Sequence, residues 1–122
     1  MAEKKILVVD DSSSIRELLK LALEDENYNV TLGEDGIDAL KHLDGKHFDL
    51  VITDLHMPNM NGMELIHEIR KIDQYKYTPI LFLTTETKAD LKVKAKKEGA
   101  TGWLTKPFDN EKLKRVIKRV LR

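Results

Sequence analysis

No cysteine occurs among the 122 residues, so disulfides, iron–sulfur clusters and thiol catalysis are excluded. Long apolar runs are missing too. The longest lie at residues 6–9 and 79–83, far short of the roughly 20 residues that a membrane-spanning helix needs. There are 3 prolines and no stretch rich in proline or serine to mark an internal linker. Repeats and low-complexity tracts are equally lacking. The first five residues pass directly into a strand-like run with no leader-type apolar segment, so a cytoplasmic location is expected. Net charge is also absent, with 21 Lys and Arg against 21 Asp and Glu.

What is present is the mixture of a soluble globular domain, 41% hydrophobic and 34% charged. The length suits one core, so a single domain over residues 1–122 is expected. The zero net charge conceals a split. Residues 1–61 carry 13 acidic and 6 basic side chains, a balance of −7; residues 62–122 carry 8 and 15, a balance of +7. Such a chain presents sites of opposite sign and argues against simple nucleic-acid binding, unless the two halves intermix on folding.

Hydrophobic periodicity alternates between two kinds. Residues 6–9 (ILVV) read as a strand buried on both faces. Ile15, Leu18, Leu19 and Ala22 then follow helical spacing. Strands are expected at 28–32, 48–53, 79–83 and 101–105. Between them, Ile37, Leu40 and Leu43 mark a short helix, and Leu65, Ile66 and Ile69 mark another that opens at Asn61-Gly62. Residues 88–98 form a fourth helix whose apolar stripe, Ala89, Val93 and Ala100, is thin. Leu113, Val116, Ile117, Val120 and Leu121 give the clearest amphipathic pattern, a C-terminal helix. Five βα units imply an α/β, doubly wound parallel sheet with helices on both faces.

Ligands of such sheets bind outside the carboxyl ends of the strands. Those ends carry Asp10 and Asp11, then Asp54, then Thr84 and Thr85, then Lys106; the second strand ends in Gly33 and adds nothing chemical. Each residue has a plain explanation alone. One of Asp10, Asp11 and Ser12 is expected to cap a helix, Asp54 could start a turn, and Lys106 could lie in an exposed loop. Their coincidence at four strand ends is harder to explain that way. Clustered carboxylates repel unless a cation joins them, and a hard divalent ion such as Mg²⁺ is the natural partner for oxygen ligands. With a hydroxyl and an ammonium added, the set suits phosphoryl transfer to a carboxylate.

The segments VVDD at 8–11, DLHMPNMNG at 54–62, LTTE at 83–86 and GWLTKPF at 102–108 resemble the receiver domain of bacterial two-component response regulators. The likeness spans essentially the whole chain and is strongest to single-domain chemotaxis regulators of the CheY type. It implies a flavodoxin-like (βα)5 sheet in the order 2-1-3-4-5. It also implies Asp54 as phosphoacceptor for a histidine kinase. One Mg²⁺ would be held by Asp11, Asp54 and the backbone carbonyl of His56, with Asp10 acting through water. Lys106 would bind a phosphoryl oxygen and precede a cis peptide to Pro107. Thr84 would swing its hydroxyl to the phosphoryl group, and Trp103 would follow it. His56 and Glu86 would set phosphoryl lifetime. Two departures stand out: Trp103 replaces the usual Tyr or Phe, and His56 stands where the best-known chemotaxis member has Asn.

The resemblance implies a monomeric signalling module rather than an enzyme, a phosphoacceptor that promotes its own phosphorylation and dephosphorylation. Its output partner would dock on the fourth helix, fifth strand and fifth helix. That stretch is rich in Lys88, Lys92, Lys94, Lys96, Lys97, Lys112, Lys114, Arg115, Lys118, Arg119 and Arg122. It would suit an acidic partner such as a flagellar motor switch protein, and a phosphatase could act on the same molecule. Neither nucleic acid nor membrane is expected as a partner, and no second domain is expected after Arg122. Two alternatives stand beside this reading. A phosphorelay intermediate would pass its phosphoryl group to a histidine phosphotransfer domain. An aspartate-nucleophile phosphatase also couples Asp, Lys, Thr and Mg²⁺, but it normally has an Asp where this chain has His56, and it needs a substrate cap.

Overall fold

Short β-branched runs and amphipathic helices alternate from end to end in the computed structural model, which describes residues 3–121. Arg122, counted above with the basic stretch, lies outside the described residues. The elements are β1 (Lys5–Val9), α1 (Ser13–Glu24), β2 (Asn29–Gly33), α2 (Gly36–His42), β3 (Leu50–Thr53), α3 (Gly62–Lys71), β4 (Ile80–Thr84), α4 (Ala89–Glu98), β5 (Gly102–Thr105) and α5 (Asn110–Val120). All strand pairings are parallel and the order is β2-β1-β3-β4-β5, as the resemblance implies.

Alternate strand residues face opposite ways, which divides the core in two. Leu7, Val9, Val51, Ile80 and Phe82 pack against α2, α3 and the inner side of α4. Ile6, Val8, Leu50, Ile52, Leu81 and Leu83 pack against Leu19 and Leu23 of α1 and Leu113 and Ile117 of α5. Each such Leu or Ile, fully buried, contributes about 1.5–3 kcal/mol. No helix among the described residues is long and apolar enough to cross a membrane.

Register sets the functional edge. Val9 lies opposite both Gly33 and Thr53, and Thr84 lies opposite Thr105. Asp10, Asp54 and Lys106 are therefore the first residues to leave their strands at one end of the sheet. The strand order also answers the charge question. β2, β1 and β3 come from the acidic half of the chain, and β4 and β5 from the basic half. The two halves nevertheless meet: Lys106 lies between Asp10 and Asp54, and Lys114 and Lys118 approach Glu26 at 4.0 and 3.8 Å.

Several details differ from expectation. The inner side of α4 is formed by Ala95, which is buried, with Leu91 and Ala100 partly buried beside it, rather than by Ala89 and Val93. Val93 is 55% exposed, because it stands two residues from both Leu91 and Ala95 and so lies on the opposite side of the helix. Leu18 and Ile37 also face outward, leaving Leu19, Leu23 and Ala39 as the contacts. The third strand starts two residues later than the apolar pattern suggests, although Phe48 is buried. A 3-10 turn at Asp73–Tyr75 has no counterpart in the periodicity.

Candidate functional site

Ser12 is the residue that caps α1, accepting a hydrogen bond from the Ile15 N–H at 3.3 Å. Both preceding acids are thereby left for other work. The Asp10 N–H donates to the Gly33 carbonyl at 3.1 Å, and the Asp54 N–H donates to the Val9 carbonyl at 2.9 Å. These bonds extend the sheet one step and set the two carboxylates side by side.

Lys106 arrives from β5 with its own N–H bonded to the Thr84 carbonyl at 2.8 Å. Its ammonium donates to Asp10 Oδ2 at 2.6 Å and to Asp54 Oδ2 at 2.8 Å. The remaining carboxylate oxygens accept backbone N–H groups, from Ser12 to Asp10 Oδ1 at 2.9 Å and from Leu55 to Asp54 Oδ1 at 2.6 Å. Burial works against the charge on Lys106, whose side chain is only 12% exposed. Hydrogen bonds and attraction from Asp10 and Asp54 outweigh it and hold the ammonium above its ordinary value. The peptide bond from Lys106 to Pro107 is cis.

Asp11 completes the group. Carboxylate oxygens of Asp10, Asp11 and Asp54 all lie within 4.8 Å of one another. Among the described residues Asp11 has no hydrogen-bonding or ion-pair partner, and it is exposed. Three carboxylates and one ammonium leave a formal charge of about −2, which one hard divalent cation would neutralise. The all-oxygen donor set fits Mg²⁺.

The His56 imidazole is not part of this set. Its Nε2 pairs with Glu86 Oε1 at 2.8 Å, so only its backbone carbonyl is left for the role that the resemblance implies. Glu86 proves to be a junction. Its other oxygen accepts the N–H groups of Thr87 and Lys88, each at 3.1 Å. Its own N–H donates to the Thr84 hydroxyl at 3.2 Å, and its carbonyl accepts the Trp103 indole N–H at 3.2 Å. The hydrogen bond from His56, followed by that from the Lys88 N–H, pulls the Glu86 carboxyl below its ordinary value. Thr84 is fully buried, whereas Thr85 is exposed. Trp103 is half-buried against Phe82, with ring centroids 5.4 Å apart. The Lys92 ammonium stands 6.0 Å from the indole.

Three contributors escape a sequence reading. The Thr53 hydroxyl donates to the Asp54 carbonyl at 2.9 Å. Gly62 passes so close to that same carbonyl that a β-carbon would not fit. Arg16 reaches back from α1 to the Asp10 carbonyl at 2.6 Å. Only Gly62 left a trace in the sequence, in the Asn61-Gly62 pair that opens α3.

The family model of the response regulator receiver domain matches residues 6–118. The chain is 37% identical over 117 residues to chemotaxis protein CheY of Pseudomonas aeruginosa, covering 95% of this chain and 94% of that one. The crystallised chemotaxis protein CheY4 of Vibrio cholerae is 47% identical with a TM-score of 0.94, over 98% of this chain and all of that one. The receiver domain of sensor histidine kinase PA1611 from Pseudomonas aeruginosa, whose structure has a magnesium ion coordinated in the active site cleft, is 28% identical with a TM-score of 0.90, over 98% of each chain.

Proposed function

Because the chain belongs to the response regulator receiver domain family, we propose that it is a phosphorylation-driven switch with Asp54 as its phosphoacceptor. The observation that carries this reading is the Lys106 ammonium held between Asp10 and Asp54, with the unpaired Asp11 within reach. An Asp54 carboxylate oxygen attacks the phosphorus of a kinase phosphohistidine. The P–N bond breaks, the imidazole leaves with its electron pair, and an acyl phosphate forms. Lys106 exchanges one carboxylate contact for a phosphoryl oxygen. Asp11, Asp54 and the His56 carbonyl would hold one Mg²⁺, with Asp10 acting through water. When bound, that ion offsets repulsion between the carboxylates and the incoming phosphoryl oxygens.

Acetyl phosphate with Mg²⁺ should add one phosphoryl group to the wild type, at Asp54, as read by mass spectrometry. Asp54→Asn should take up none. Undiminished labelling of that variant would sink the assignment.

The output of the switch is protein binding. The exposed lysines and arginines of α4 and α5 present a basic surface, which suits an acidic partner. Similarity to chemotaxis proteins supports a flagellar motor switch protein in that role. The proposed domain spans residues 1–122, works as a monomer in the cytoplasm and serves as a substrate for a phosphatase.

Coupling from site to surface runs through Glu86. A ligand shifts a two-state equilibrium only by binding one state better. A phosphoryl oxygen offers the Thr84 hydroxyl a bond that the resting state lacks, and taking it disturbs the contact with the Glu86 N–H. The Glu86 carbonyl holds the indole of Trp103, the sole tryptophan. Beryllofluoride with Mg²⁺, standing in for the phosphoryl group on Asp54, should therefore change Trp103 emission or its quenching by iodide. Thr84→Ala should bind the analogue with little of that change. A full response in the variant would assign the coupling elsewhere.

A further inference from the structure

We infer that Arg16 is a positioning residue for Asp11. Asp11 is the one acid of the cluster whose side chain no described residue holds, so its place depends on its backbone neighbours. Arg16 grips both of them. Its N–H donates to the Ser12 carbonyl at 3.0 Å, and its guanidinium donates to the Asp10 carbonyl at 2.6 Å. The second bond closes a loop over six residues and brackets Asp11 between two fixed carbonyls.

That bond meets a need that the sheet leaves open. Asp10 lies one residue beyond β1 and is only 2% exposed. Its N–H and both of its carboxylate oxygens are engaged, by Gly33, Ser12 and Lys106. Its carbonyl has no strand partner, because the chain turns there into α1, and a buried carbonyl without a donor is costly. Arg16 supplies the donor, and a charged one at that.

Helix stability does not account for a cation at this position. Arg16 lies near the start of α1, where the helix dipole disfavours positive charge. Among the described residues it forms no ion pair that would compensate. The guanidinium is spent on the loop, and the loop's exposed product is the Asp11 carboxylate. Holding that carboxylate within reach of Asp54 lowers the ordering cost of binding a cation. Contacts that orient a metal ligand from behind are typically worth about 10–100-fold in affinity. The lower end applies here, because the Arg16 backbone bond to Ser12 survives any side-chain change.

The role assigned to Asp11 rests on the receiver reading, so the test has two arms. In metal-free protein, amide exchange at Ser12 reports loop order directly. Arg16→Gln, too short to reach the carbonyl, should exchange about tenfold faster there than the wild type. Calorimetric titration with Mg²⁺ should show about tenfold weaker binding in the same variant. Arg16→Lys keeps one donor and should restore most of both. If Arg16→Gln does not fold, Arg16→Met keeps the packing of the stem and takes its place. Ser12 exchange and Mg²⁺ affinity both unchanged in Arg16→Gln would overturn the inference, as would an Arg16→Lys no better than Arg16→Gln. A wild type that binds no Mg²⁺ would overturn the role assigned to Asp11 and count against the receiver reading, while the exchange arm still decides the clamp.

Discussion

Lys106→Met is expected to lose about 3 kcal/mol of stability at neutral pH in metal-free buffer, and to recover part of it on addition of Mg²⁺ or mild acid. Breaking a buried ion pair by removing one partner typically costs about 3–5 kcal/mol, because the other charge stays behind uncompensated. Here two charges stay behind. The Asp10 and Asp54 side chains are 3% and 12% exposed, and Lys106 is the cation between them. The backbone N–H groups of Ser12 and Leu55 still hold one oxygen of each acid, which keeps the loss near the lower figure.

The pH dependence has a definite sign. In the wild type, Lys106 is raised above its ordinary 10.5, so its contribution is complete below that pH and fades as pH rises through the folded value. In Lys106→Met, the two facing carboxylates repel without a cation between them, and protonating either one relieves that repulsion. The variant is therefore expected to gain stability in mild acid relative to pH 7. A divalent cation replaces the missing charge and should narrow the gap at pH 7. Urea unfolding followed by circular dichroism, at pH 5 and 7 with EDTA or Mg²⁺, measures all of this. A loss below about 1 kcal/mol, indifferent to pH and Mg²⁺, would mean that the bridge stores no stability.

The parts of the site that show in the sequence are those where residue type and strand end coincide. Asp10, Asp54 and Lys106 follow short apolar runs, and parallel topology brings such ends together whatever the loops do. The distance of 96 residues between Asp10 and Lys106 is no obstacle to that inference, because the sheet performs the long-range step. Side-chain contacts to backbone carbonyls are different. Arg16 and Thr53 bond to groups that every residue possesses, so no pattern of residue types announces the partner. The resemblance implies Glu86 as an influence on phosphoryl lifetime, but its links to Trp103 and Thr84 again run through its backbone. The inward face of α4 escapes the sequence pattern for another reason. With few apolar residues on the helix, periodicity alone could not say that Leu91 and Ala95 turn inward while Val93 does not.

Gly62→Ala should destabilise the protein by about 2–3 kcal/mol and slow labelling of Asp54 by roughly 100-fold. At an ordinary position near a helix start, the same change gains up to about 1 kcal/mol from propensity. Sterics reverse the sign here. A β-carbon on Gly62 would stand 2.2 Å from the Asp54 carbonyl oxygen and 2.7 Å from Phe82 Cε1. Neither neighbour yields cheaply. Phe82 is fully buried beneath the sheet, and the Asp54 carbonyl is held by the Thr53 hydroxyl. The glycine cannot retreat either, because its N–H is bonded to the Leu55 carbonyl at 2.8 Å and its helix is fixed by the capping box of Asn61 and Glu64. Overpacking of this kind costs about 1–3 kcal/mol. The displaced atom belongs to the proposed phosphoacceptor, and a shift of about 1 Å in a reacting group can cost around 100-fold in rate. Gly33→Ala is the control, since its β-carbon would meet nothing closer than 3.4 Å. It should change stability by less than about 1 kcal/mol and leave labelling intact. Equal behaviour of the two variants would show that α3 and the end of β3 can part without consequence, and that close approach at Gly62 does not position Asp54.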